Sequence, residues 1–153
     1  MRVVIQLGYQ VRRWLLALLR LRTTGVKVML FNEAGELLLI RNGYGASDLF
    51  LLPGGGVGRR ESPAAAALRE IREELGLDIR DVEPVWTFET SAEGKRDTIH
   101  LFKAFAQENP KVDGVEVIEA RFFPLDALPE KVSPATLRRV EELKGERSVD
   151  GRW

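Results

Sequence analysis

Apolar residues occur in short runs, separated by polar or glycine-bearing breaks, and their period changes along the chain. Over residues 26–40, VKVMLFNEAGELLLI places two apolar runs around Asn32 to Gly35, which predicts a hairpin with Gly35 in a backbone conformation that other residues resist. Val26, Val28 and Leu30 alternate, whereas Leu37 to Ile40 is apolar throughout, the pattern of a central strand covered on both faces. Phe50, Leu51 and Leu52 then return to the core ahead of Pro53. A strand with Trp86 and Phe88 is expected over 82–90, and its return over 98–106. In that return strand Ile99, Leu101, Lys103 and Phe105 face one side and His100, Phe102 and Ala104 the other. A late strand is expected within 115–123.

Two segments carry helical signals. Ser62 caps a helix with Pro63 at its first position, alanines follow, and Gly76 ends it. Ala64, Leu68, Ile71 and Leu75 recur at helical spacing, so this stripe is expected to face the core and the carboxylates of the helix to lie elsewhere. A final helix starts at Ser133 and Pro134, packs through Leu137, Val140, Glu141 and Leu143, and ends at Lys144 and Gly145. The tail 146–153 frays or docks through Trp153. The order of elements predicts an α/β protein with a mixed sheet between two helical layers.

Residues 1–24 form a separate unit in this reading, an N-terminal amphipathic helical extension ahead of a domain spanning 25–145. Its apolar run from Trp14 to Leu21 is too short to span a bilayer. Residues 10–22 are expected to pack on protein, in one form between the subunits of a homodimer. The other reading is peripheral membrane contact, with Trp14 at the boundary.

Charge and composition narrow the classes. Lys plus Arg and Asp plus Glu both number 23, so net charge supplies no global attraction to nucleic acid or anionic lipid, and no extended nucleic-acid surface is expected. With no cysteine, thiol catalysis and disulfides are excluded, in keeping with a cytoplasmic setting.

The densest chemistry lies in GGGVGRRESPAAAALREIREELGL, residues 54–77. Glu70 and Glu74 are one helical turn apart and share a face, and Glu73 borders them. Hard oxygen ligands at this spacing suit Mg²⁺ or Mn²⁺, ions that also take substrate phosphates. The plainer reading is a solvated face on which these glutamates pair with Arg69 and Arg72. Glu61 just ahead of the helix, and a glycine turn where backbone can approach a ligand, favour the metal.

The stretch resembles the signature of the Nudix hydrolases: a glycine, five residues, a glutamate, seven residues, then Arg-Glu, an aliphatic, any residue, Glu-Glu, any residue, Gly and an aliphatic. Gly55, Glu61, Arg69, Glu70, Ile71, Glu73, Glu74, Gly76 and Leu77 meet every fixed position. The resemblance implies an α/β/α sandwich and metal-dependent hydrolysis of a nucleoside diphosphate linked to another moiety. It implies that Glu70 and Glu74 hold the ion, with Glu73 sharing it or orienting the attacking water and Arg69 orienting the glutamates. Gly54 to Gly56 would let backbone approach metal and phosphate. A later loop would supply a further acid, for which Glu116 and Glu119 are both open. Arg41, Tyr44, Trp86 and His100 are candidate contacts to phosphate or base, each with a plain structural alternative. The leading substrate is a nucleoside triphosphate; NDP-sugars, ADP-ribose, RNA ends and a nucleotide-binding module without turnover are the alternatives.

Overall fold

The computed structural model describes residues 23–43, 48–92 and 95–153, so the expectations for residues 1–22, and for Tyr44, fall outside the described residues. Six strands form one mixed sheet: β1 (Thr24–Phe31), β2 (Leu37–Asn42), β3 (Gly54–Gly56), β4 (Glu83–Ala92), β5 (Lys95–Phe105) and β6 (Val117–Phe123). Among the described residues the helices are α1 (Pro63–Leu75) and α2 (Pro134–Leu143). The strand order is β4-β5-β1-β2-β6, with β3 pairing β1. Among the described residues, no helix is long and apolar enough to cross a membrane.

The β1–β2 hairpin closes as expected. Gly35 has φ of 74° and donates to the Asn32 carbonyl, while the Asn32 side chain accepts from the Glu36 N–H at 2.9 Å. Beyond that turn β1 and β2 diverge, and residues 51–56 run between them. Ile40 and Leu51 exchange both backbone bonds at 2.9 Å, while Val28 N–H donates to the Pro53 carbonyl and β3 pairs antiparallel with β1. The glycines expected as a turn are therefore extended and hydrogen-bonded inside the sheet, because the parted strands leave backbone groups that need partners.

Alternation sorts the core into two layers. Val26, Val28, Leu30, Leu38 and Ile40 pack with Phe102 and Ala104 against Ala66, Ala67, Ile71 and Leu75 of α1. Met29, Leu37, Leu39, Phe88, Leu101 and Phe123 pack with Val140 of α2 on the opposite face. Leu37 to Ile40 are all fully buried because β2 is covered on both sides. Each such aliphatic side chain contributes about 1.5–3 kcal/mol. The result is an α/β/α sandwich.

Two helical faces differ from their apolar patterns. On α1 the buried rows are Ala66, Glu70, Glu74 and Ala67, Ile71, Leu75; Ala64 is exposed, and two carboxylates share the core face with the aliphatics. On α2 the buried residues are Thr136, Arg139 and Val140, while Leu137 and Leu143 are about two-fifths exposed. Hydrophobicity alone placed Ile71, Leu75 and Val140 in the core but missed the buried charged residues beside them, because in each helix a charged side chain finds partners inside. The tail docks: the Trp153 ring meets Phe88 edge-on with centroids 5.5 Å apart.

Candidate active site

The local sequence explains how α1 presents its carboxylates. Ser62 accepts a hydrogen bond from Ala65 N–H at 3.1 Å, Pro63 occupies the first turn, and Gly76 closes the helix in the left-handed region with φ of 63°. The helix then lies against β3, where side chains are excluded by contact. A Cβ on Gly54, whose φ is 146°, would fall 2.0 Å from the Val26 carbonyl oxygen, and one on Gly55 would fall 2.4 Å from Cδ of Glu70. The space beside each glycine is thus taken by sheet backbone and by a glutamate.

Glu74 is fixed by that strand, since its Oε2 accepts from the Gly54 N–H at 2.9 Å. Gly54 therefore acts here by holding a glutamate. Arg69 organises the rest. Its Nε and Nη2 donate to the two oxygens of Glu61 at 2.8 and 3.0 Å, and Nη1 donates to Glu70 at 2.8 Å and to Glu73 at 3.2 Å. Nη2 also reaches the Gly56 carbonyl at 2.9 Å. The planar fork suits this work because its donors diverge in fixed directions. The Arg69 pKa is raised well above its ordinary value, first by the Glu61 hydrogen bond, with Glu70 and Glu73 adding to it. Glu61 is held below the ordinary 4.5, chiefly by the Arg69 hydrogen bond and further by the Gly58 N–H.

The solvated-face reading does not describe Glu70 and Glu74, which are only 6% and 5% exposed. Arg72 turns away to Asp78. Three glutamates, Glu61, Glu70 and Glu73, thus gather around one guanidinium, and Glu70 and the Gly54-bound Glu74 are buried on the core side of the helix. Such an excess of buried negative charge is stabilised by a cation. The donor set, all carboxylate and carbonyl oxygen, fits a hard divalent ion and not a soft one. Among the described residues no three acidic or imidazole groups converge as a preformed metal cluster, because Arg69 stands between three of the glutamates.

A NUDIX domain model matches residues 21–143. The chain belongs to the Nudix hydrolase family. Family membership implies a divalent cation. An RNA pyrophosphohydrolase of Cellvibrio japonicus is 43% identical over 58 residues, which cover 38% of this chain and 34% of the relative. The chain thus aligns with about a third of the length of the curated relatives it matches. Among solved structures, a MutT Nudix hydrolase from Burkholderia pseudomallei is similar with a TM-score of 0.70 and 26% identity, covering 79% of this chain and 97% of that one. A MutT protein from Methanosarcina mazei Go1 shares the fold, with a TM-score of 0.67 and 24% identity over 82% of this chain and 96% of its own.

Strand register locates the other Nudix-site candidates. Thr87, His100, Val26 and Gly55 form one transverse row, so His100 shares the α1 face and lies two strands, about 10 Å, from the glycine. Its Nδ1 is 3.1 Å from the Thr87 hydroxyl. Trp86 pairs opposite Leu101, a residue of the α2-side core, and is 51% exposed. Arg41, at the end of β2, donates through Nε and Nη2 to Oε2 of Glu119 at 2.8 and 2.7 Å and lies over the Phe50 ring. Glu119 is therefore engaged with Arg41. Glu116 is held at the same sheet end, where its carbonyl accepts from Gly43 N–H. The structure thus separates the candidates: His100 is on the carboxylate face, whereas Arg41 and Trp86 belong to the other.

Sequence reasoning left Lys27 and Arg139 aside. Lys27 donates from Nζ to the Leu52 carbonyl at 3.0 Å, and the alternation of Val26 and Val28 could have placed it on the α2 face. For Arg139 no sequence signal exists, since an arginine in a polar helix reads as exposed.

Proposed function

We propose that this chain hydrolyses a phosphoanhydride bond in a nucleoside triphosphate or a related nucleoside diphosphate derivative. The observation that carries the reading is the Arg69-centred cluster of Glu61, Glu70 and Glu73, with Glu74 tied to Gly54, on a chain whose family is established. Glu70 and Glu74 would hold the principal divalent ion, Mg²⁺ or Mn²⁺, and Glu73 would share it or orient water. The ion supplies charge cancellation on the phosphates and acidifies water. Arg69 fixes the carboxylate orientations, and the extended glycines let phosphate approach the backbone. A carboxylate of the cluster removes the proton from the attacking water as an oxygen–phosphorus bond forms and the bridging bond breaks, which leaves two phosphorylated products.

His100 is the contact we assign to phosphate or base, because it shares the carboxylate face, whereas Arg41 and Trp86 lie on the other. Glu116 and Glu119 both stand at the sheet end that carries Arg41 as candidates for a further acid, Glu119 with Arg41 bound to it. The lack of cysteine fits a cytoplasmic setting.

A second reading, hydrolysis at a triphosphorylated RNA end, is favoured by the names of relatives such as that from Cellvibrio japonicus. Zero net charge argues for the small nucleotide, since long nucleic acid draws affinity from many phosphate contacts. Comparing kcat/KM across nucleoside triphosphates, NDP-sugars, ADP-ribose and triphosphorylated RNA, with product masses, tests both. Nucleoside monophosphate plus pyrophosphate is the expected outcome; preference for RNA reverses the substrate assignment, and no metal-dependent turnover on any of them refutes hydrolysis.

A further inference from the structure

The sheet ends at β4, and the first half of that strand is bare. Residues 83–87 are all exposed, and the apolar side chains among them stand far out, Val85 at 45% and Trp86 at 51%. Among the described residues no strand lies beyond β4. Another strand is a poor partner for this edge, because Pro84 lacks an N–H and the register shifts between Pro84 and Trp86. What the edge offers is apolar side chains, which suit a helix laid against them.

Its charge is one-sided as well. Asp81, Glu83 and Glu89 are exposed and make no ion pair among the described residues. Lys103, the cross-strand neighbour of Glu83, lies instead over the Phe31 and Phe105 rings, 5.5 and 5.3 Å from their centroids.

The complement to this surface is in the same chain. Residues 1–22 contain five arginines and no acid, so residues 23–153 hold 18 basic side chains against 23 acidic ones. At helical spacing Val11, Trp14, Leu15, Leu18 and Leu21 fall on one arc, Arg12 borders it, and Arg13 and Arg20 lie opposite. The point of entry is close to the bare strand. Thr23 is bound to β5, its carbonyl accepting from Thr98 N–H and its hydroxyl donating to Asp97. Thr24 pairs with Thr98, and Trp86 pairs with Leu101, three residues further along and one strand further out. Trp86 is therefore about 14 Å from the start of β1. Residues 10–22 as a helix would span about 20 Å.

We propose that residues 10–22 dock as an amphipathic helix on the exposed half of β4 in their own chain, with the Trp14, Leu15 and Leu18 arc against Val85 and Trp86. The own chain is favoured over a second copy because the joint at Thr23 leaves almost no linker to order, and a short tether acts as a high local concentration. It is favoured over an anionic membrane because the acidic excess of residues 23–153 repels such a surface. Covering the edge also hides it from association with other chains.

The chain has no cysteine, so a single Val85→Cys thiol in the full chain reports on this edge. Val149→Cys is the reference, since the domain leaves both valines 45% exposed. Val85→Cys should react with a maleimide at least about tenfold more slowly than Val149→Cys, because only the undocked fraction reacts. Leu18→Glu should bring the Val85→Cys rate up to the reference and leave Val149→Cys unchanged. Dilution, or vesicles of phosphatidylcholine and phosphatidylserine, should not alter the protection. A Val85→Cys rate indifferent to Leu18→Glu overturns the docking. Protection that fades on dilution assigns the segment to a second copy, and protection lost to vesicles assigns it to the membrane; either overturns docking in the own chain. If Leu18→Glu does not fold, spin labels on Ala17→Cys and Val85→Cys decide: a single narrow distance below about 25 Å supports the docked helix, and a broad distribution refutes it.

Discussion

Gly55 and Glu70 divide one space between them: a methyl group on the glycine would meet the glutamate's Cδ at 2.4 Å and its oxygens at 2.4 and 2.7 Å. The extended glycine strand and the buried carboxylate therefore depend on each other. Gly55→Ala should destabilise the fold by about 1–3 kcal/mol through overpacking and should also displace Glu70. Gly56→Ala is the control, because no atom lies within 4 Å of its added Cβ, and its stability should stay within about 0.5 kcal/mol of the parent. Urea midpoints for the two variants check the difference; equal midpoints would refute the shared-space account.

Glu74→Gln keeps an oxygen that can accept from Gly54 N–H but removes the charge. If Glu74 holds the ion, kcat/KM should fall at least about 100-fold, since even groups that only orient metal ligands are worth 10–100-fold. Chelation of the parent should abolish turnover and Mg²⁺ should restore it. A folded Glu74→Gln protein with the parent rate, or full turnover in chelator, would defeat the assignment.

Arg69→Lys retains a cation but cannot reproduce donors to Glu61, Glu70, Glu73 and the Gly56 carbonyl at once. Turnover should fall by about 10-fold or more, with a shift in the Mg²⁺ concentration needed for half-maximal rate. Metal titration of initial rates measures both. An unchanged Mg²⁺ dependence would mean that the fork does not set carboxylate geometry.

Acid stability should carry a Glu61 signature. Its folded pKa lies below the ordinary 4.5, so the unfolded chain binds this proton more readily. The contribution is complete above 4.5 and is lost as pH falls from there through the lowered folded value. Glu61→Gln should therefore flatten the stability profile below that pH relative to the parent. Parallel acid limbs in urea melts at successive pH values would contradict the ion pair.

The sequence by itself determined the family signature, the hairpin at Gly35, the capped helix from Ser62 to Gly76 and the doubly buried strand at Leu37 to Ile40. Each is written in local periodicity, cap chemistry or fixed spacing, which need no distant partner to be read. Tertiary structure decided which glutamates are buried, because hydrophobic periodicity assigns carboxylates to solvent, and only the approach of β3 and the Arg69 fork gives Glu70 and Glu74 partners inside. It also decided that the glycines are a strand: the divergence of β1 and β2 opens a gap that extended backbone must fill. Arg139 is the limiting case. Its burial depends on Phe88, Glu142 and a tail carbonyl arriving from three segments, and long-range coincidences of that kind leave no mark in a one-dimensional pattern.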